Sequence, residues 1–173
     1  MRLFTVFHLP NALMVVTVLA AGFLHAETEE DSLVVDKVIV LKSARKMQLL
    51  AANKVVRDYS IALGDNPKGH KQEEGDERTP EGLYTIDYRN PQSRYHLSLH
   101  INYPNAQDKQ RAAERGVSPG GDIFIHGMPN HLGWLGALAN NIDWTDGCIA
   151  VSNADIEEIW ALVKNGTPIE IKP

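Results

Sequence analysis

A histidine and a cysteine offer the chemistry in this chain. His126 closes the short apolar run of "GGDIFIHGMPN", and Cys148, the one cysteine among 173 residues, lies in "DWTDGCIAVSN". A lone thiol cannot close an intramolecular disulfide. It is either a small buried hydrophobe or a nucleophile, and the residues before it favour the second. Thr145-Asp146-Gly147 is polar and contains a glycine, which suits a loop that presents the sulfur better than a strand that hides it. A thiol becomes a strong nucleophile when a neighbouring imidazole takes its proton, and His126 is the natural partner. Backbone N–H groups around Gly147 and Cys148 are the expected oxyanion donors, because glycine permits a close approach.

Weaker signals surround this pair. Asp146 and Thr145 adjoin the nucleophile and are expected to meet substrate, Asp146 by receiving an amine or another cationic group. Arg78, in "GDERTPEG", has the planar fork that grips a carboxylate bidentately. His100 and Tyr103 end a strand and are candidates for lining a cleft. His131, five residues after His126, invites a zinc-hydrolase reading with Asp143 and Cys148, but no spacing there matches a ligand motif. No metal or other cofactor is expected.

Elements must bring these residues together. "LVVDKVIVLKS" (Leu33 to Ser43), "KMQLLAA" (Lys46 to Ala52) and "KVVRDYSIAL" (Lys54 to Leu63) predict a meander of strands. Gly64 to Gly82 has hardly an apolar residue and must be a loop, long enough to be either functional or disordered. Leu83 to Arg89 and Tyr95 to Ile101 resume the alternation, and "DIFIHG" is a short buried strand. Asn105 to Gly116 is a polar helix with Asn at its start and Gly at its end. His131 to Asn141 has room for a short helix. Ser152 and Asp155 form a capping-box-like start to a helix over Ala154 to Gly166, with Ile156, Ile159, Trp160 and Val163 on one face. Thr167 to Lys172 is a closing strand. The sum is a mostly β, mostly antiparallel domain with a few helices.

The first 26 residues have the form of an export signal: Arg2, an apolar run from Ala12 to Leu24, and a small residue at Ala26. Cleavage there leaves a short acidic linker, 27–33, ahead of a catalytic domain over 34–173. Left uncut, the segment is a membrane tether. Seventeen basic against 22 acidic residues give a formal net charge of −5, which argues against a nucleic-acid or anionic-membrane binder.

In order along the chain, "ALGDNPKG", "GDERTPEGLYTI", "YHLSLHINYPN", "IHG" and "DGCIAVSN" resemble the L,D-transpeptidases of the YkuD type, and within them the small periplasmic YafK-like members. The signature of that family is a His-Gly or His-Ser pair, then Ser/Thr-His-Gly-Cys. The resemblance implies a β-sandwich-like catalytic domain, Cys148 as nucleophile, His126 as base and the Gly127 carbonyl as the acceptor that orients the imidazole. It implies peptidoglycan stem peptides as substrate, a thioester formed at the third-position diamino acid with loss of the terminal D-alanine, acylation by carbapenems and a periplasmic location. The intermediate would be resolved by an amine, giving a cross-link or an attached wall protein, or by water, making the chain a carboxypeptidase or amidase. A non-catalytic wall-binding module is the alternative of another class. The chain departs from the signature at Asp146, where the family has its second histidine.

Overall fold

Alternation of apolar and polar residues sets most of the strands. A computed structural model of the chain describes residues 33–134 and 142–173, which fall within one compact unit, Ser32–Pro173. The candidate export segment and the acidic linker up to residue 32 lie outside the described residues, as do residues 135–141 of the helix expected over His131 to Asn141. No described helix is long and apolar enough to cross a membrane.

The meander forms as β1 (Lys37–Leu41), β2 (Lys46–Ala51) and β3 (Lys54–Ser60), paired antiparallel. Ala52 and Asn53, both with positive φ, make the tight turn between β2 and β3, the backbone twist that a two-residue hairpin requires. The next strand, β4 (Gly82–Ser93), runs beyond the Arg89 boundary read from sequence, through Pro91, and pairs with β5 (His96–Ile101). Helix α1 (Ala106–Glu114), β6 (Phe124–His126), β7 (Ile149–Ala150), α2 (Asn153–Leu162) and β8 (Pro168–Lys172) complete the chain.

All eight strands join in the order β3-β2-β1-β8-β4-β5-β6-β7. β1–β8 and β6–β7 are parallel and the rest antiparallel. Just past β3, Ala62 exchanges two backbone hydrogen bonds with Ala150 of β7, so the two ends of the sheet meet. β4 serves both halves, its start pairing with β8 and its remainder with β5. The halves therefore face one another across the core, as a sandwich does. Val38, Val40, Met47 and Leu49 enter this core from one side, Leu99, Ile101, Ile125 and Ile149 from the other, all fully buried. Each such side chain contributes about 1.5–3 kcal/mol by leaving water.

The helices start as their caps dictate. Asn105 accepts from the backbone of Gln107 and Asp108 while the Asp108 carboxylate accepts from the Asn105 N–H, a reciprocal capping box. Asp108 is buried and also accepts from Tyr84 and Arg111, which anchors an otherwise polar helix. Ser152 caps α2, whose Ile156 and Ile159 are buried together with Val163 just beyond its end. This helix stops at Leu162, short of the expected Gly166. Trp160 is only partly buried, with the Arg89 guanidinium 3.9 Å over its ring.

The long loop, 64–81, is ordered by two buried ammonium groups. Lys42 Nζ donates to the Gly69 carbonyl (2.6 Å), the Thr79 carbonyl (3.0 Å) and Glu81 (2.8 Å). Lys71 Nζ donates to Asp76 at 2.8 Å, and Asp76 in turn accepts from the backbone of Gln72 and Arg78. The loop needs no apolar residues because fixed charges hold its backbone. Removing a buried cation strands its partners. Lys42→Met should therefore lower stability by about 3 kcal/mol, read as a fall in the urea midpoint at unchanged slope. A loss under about 1 kcal/mol would show that the loop does not depend on this contact.

Candidate active site

The register of two short parallel strands builds the site. β6 and β7 pair Ile125 with Ile149 and His126 with Ala150. Side chains alternate along a strand, so with Ile125 and Ile149 in the core, His126 and Cys148 project to the other face of neighbouring strands. Both line one cleft of about 640 Å³.

His126 is 3% exposed. The Tyr95 ring lies 4.5 Å from it and the Trp144 ring 5.8 Å. Its Nδ1 is 2.7 Å from the Gly127 carbonyl. A carbonyl oxygen only accepts, so Nδ1 carries the proton and Nε2 keeps its lone pair. The position after His126 requires glycine for lack of space. A Cβ on Gly127 would stand 2.7 Å from Asn153 Oδ1 and 3.0 Å from Ile156 Cγ2. Hydrogen bonds from the Gly127 N–H to the Tyr95 and Leu97 carbonyls hold the orienting peptide in place.

Cys148 is half-buried in the cleft lining, its sulfur 3.5 Å from the Asp122 carbonyl. Burial pushes its thiol up to about 11, with further upward push from the Asp146 and Asp122 carboxylates. A backbone hydrogen bond from Phe124 and the charge of Lys71 act the other way. Burial also holds His126 below the usual imidazole range, against the opposing pull of the Gly127 carbonyl. At neutral pH the pair is therefore an uncharged thiol beside an uncharged imidazole.

The turn before Cys148 is held by its own backbone. Gly147 has φ +116, and a Cβ there would meet the Arg78 carbonyl at 2.5 Å. The Gly147 carbonyl accepts from Thr79 Oγ1 (2.9 Å), which ties the turn to the long loop. The Gly147 N–H points to Thr145 Oγ1 at 3.2 Å and so is already taken, contrary to its expected place as an oxyanion donor. The Cys148 N–H has no partner among the described residues.

Among the weaker candidates, Asp146 is exposed on the cleft wall, where a substrate group can reach it. Thr145 is buried and donates to the Cys148 carbonyl at 2.8 Å, which makes it a brace for the turn, not a substrate contact. Arg78 does not line the cleft: its guanidinium lies 3.9 Å from where a Gly69 Cβ would be, and its charge is felt at Lys42. His100 stacks on Tyr88 and pairs with Asp87 at 2.6 Å, beside Phe124 but outside the cleft lining. Tyr103 is buried in the core with its hydroxyl on the Pro119 carbonyl. Asp143 is committed to Arg45 and the Leu63 N–H. Among the described residues no three His, Cys, Asp or Glu side chains cluster as metal ligands.

Four residues of the site escaped sequence reasoning. Tyr95 and Trp144 wall the imidazole, and Arg94 and Asp122 line the cleft. The adjacent Arg94-Tyr95 pair at a hairpin end was the available signal. Asp122 was hidden in a glycine-rich run, although its φ of +56 marks a turn at that point.

A family model for the L,D-transpeptidase catalytic domain (YkuD) matches residues 35–171. The chain is 31% identical over 127 residues to the Escherichia coli K12 protein YafK, itself named as a candidate L,D-transpeptidase. That match covers 72% of this chain and 42% of YafK, so the chain spans less than half the length of that relative. Among solved structures it resembles the helical cell shape determining protein Pgp2 of Campylobacter jejuni at 26% identity and TM-score 0.60, over 80% of this chain and 47% of that one. Bd1075 of Bdellovibrio bacteriovorus matches at 26% identity and TM-score 0.58, over 83% and 50%. With the matched domain enclosing both the sandwich and its histidine–cysteine cleft, the chain belongs to the family of YkuD-type L,D-transpeptidase catalytic domains.

Proposed function

We propose that the chain performs cysteine-dependent acyl transfer on peptidoglycan stem peptides, outside the cytoplasm, with export directed by residues 1–26. The observation that carries this reading is the placement of His126 and Cys148 on one face of neighbouring segments, both lining one cleft. Because both groups rest uncharged, the thiol proton moves to His126 Nε2 as the sulfur attacks the peptide carbonyl. The Cys148 N–H then faces the developing oxyanion. Collapse breaks the C–N bond, the imidazolium returns its proton to the leaving amine, and a thioester remains. Neutral again, the imidazole takes a proton from the acceptor that resolves the thioester.

An amine acceptor gives a cross-link or joins a wall protein, and water gives hydrolysis. The exposed Asp146 carboxylate favours the amine, because it draws a cationic acceptor to the cleft before that acceptor loses its proton. No cofactor takes part in either route.

Imipenem, a carbapenem, should add one covalent mass to the wild type and none to Cys148→Ala, by intact-protein mass spectrometry. Muropeptides incubated with the protein should yield cross-linked species. Equal labelling of both proteins would remove Cys148 from the mechanism, and absence of any reaction would leave a wall-binding module.

The depressed imidazole sets the acid limb of the rate. A base whose pKa is lowered stays unprotonated further into acid, so kcat/KM should hold down to a pH below 6.5. An acid limb above that value would place another group in the role of base.

Asp146→Asn removes a like charge near the sulfur. The pH midpoint for alkylation by iodoacetamide should then fall below that of the wild type. Acylation by imipenem should hold or quicken while amine-dependent turnover drops. Parallel losses in both steps would make Asp146 a structural support for the turn and sink its acceptor role.

A further inference from the structure

The tip of the β4–β5 hairpin is held more firmly than an exposed turn needs to be. Asn130, in the loop after His126, accepts from the His96 N–H at 2.8 Å, donates from its side chain to the Ser93 carbonyl at 3.3 Å, and donates its N–H to the Arg94 carbonyl at 3.0 Å. Ser93 Oγ accepts from the Tyr95 N–H at 3.0 Å, and the Tyr95 carbonyl accepts from the Gly127 N–H at 3.1 Å. The backbone of Arg94 is thereby fixed to the segment that orients the catalytic imidazole. Its side chain is free: the exposed guanidinium makes no hydrogen bond or ion pair among the described residues.

The cleft carries formal charges of both signs. Arg94 is the one Lys or Arg among its described lining residues, while Asp122 and Asp146 lie close enough to Cys148 to raise its pKa. An anion that enters is repelled from the sulfur end and drawn to the hairpin tip. An unpaired guanidinium on a fixed backbone, in a cleft whose other formal charges are carboxylates, is the arrangement that selects a carboxylate and sets its orientation.

On the reading of the chain as an acyl-transfer enzyme, we infer that Arg94 is a specificity-determining residue that binds a carboxylate of the donor peptide. Two carboxylates have that chemistry: the one at the peptide's C-terminus and one on the side chain of the residue being acylated. Either would be held at the hairpin tip while the scissile carbonyl reaches Cys148.

Two reagents of nearly equal size, iodoacetate and iodoacetamide, test the anion site without reliance on any peptide. The ratio of their alkylation rates at Cys148 should fall about threefold or more in Arg94→Gln and be largely kept in Arg94→Lys. An unchanged ratio in Arg94→Gln overturns the inference. Three tetrapeptides then identify the carboxylate: the parent, its C-terminal amide, and a version with lysine as the third residue. The carboxylate whose removal raises KM in the wild type but not in Arg94→Gln is the one bound. Equal losses in both proteins for both peptides would overturn the assignment to the donor. If the wild type processes no tetrapeptide, the acyl-transfer reading fails, while the alkylation ratio still decides the anion site.

Discussion

The pairing of β6 with β7 is the constraint on which the site depends. β7 has two residues and β6 three, too few to hold a parallel ladder on their own. A slip of one residue would turn Cys148 into the core and Ile149 out of it. Neighbours fix the register. Ala150 exchanges two hydrogen bonds with Ala62, and the Val151 N–H donates to the His126 carbonyl. Thr145 grips the Cys148 carbonyl, and Thr79 grips Gly147. Cys148 is therefore placed by the closure of the sheet as much as by its own strand.

That closure explains the long polar loop. Beyond the Gly64–Thr145 bridge its backbone joins no strand, and it is held by ammonium groups at Lys42 and Lys71 and by the Asp76 carboxylate. Gly64 and Gly147 meet where the loop passes the turn before Cys148, and a Cβ on Gly64 would fall 2.9 Å from the Gly147 nitrogen. Charge networks at one side of the domain thus bear on the sulfur at the other side of the turn.

Much of this was legible in the chain. Alternation placed the strands, Asn105 and Ser152 marked the helix starts, and the glycine before Cys148 announced a turn. Those signals are local, and so survive without knowledge of the fold. Strand register did not show: β7 is too short to have a period, and Ala62, which bridges it, lies far away in sequence. Side-chain direction in loops was hidden altogether. Arg78 and Arg94 look alike in sequence, yet one guanidinium lies towards Gly69 and Lys42 and the other lines the cleft. Thr145 likewise has the type of a substrate contact and the position of a brace, a difference set by the chain turning its hydroxyl inward.

Electrostatics separates this site from one built on a resting ion pair. A thiol near 11 is ionised to only about one part in ten thousand at neutral pH, and the buried imidazole does not supply a standing positive charge to change that. On the proposed reading, reactivity comes from proton transfer concerted with attack. Asp146, standing where the family signature has a histidine, adds to the thiol's reluctance while leaving a carboxylate exposed at the cleft wall. A cation arriving there would cancel the repulsion as it binds, so the same residue that quiets the free thiol makes its ionisation easier once the cleft is occupied. Such an arrangement keeps the sulfur in its less reactive thiol form while the cleft is empty, since the thiolate is the reactive form.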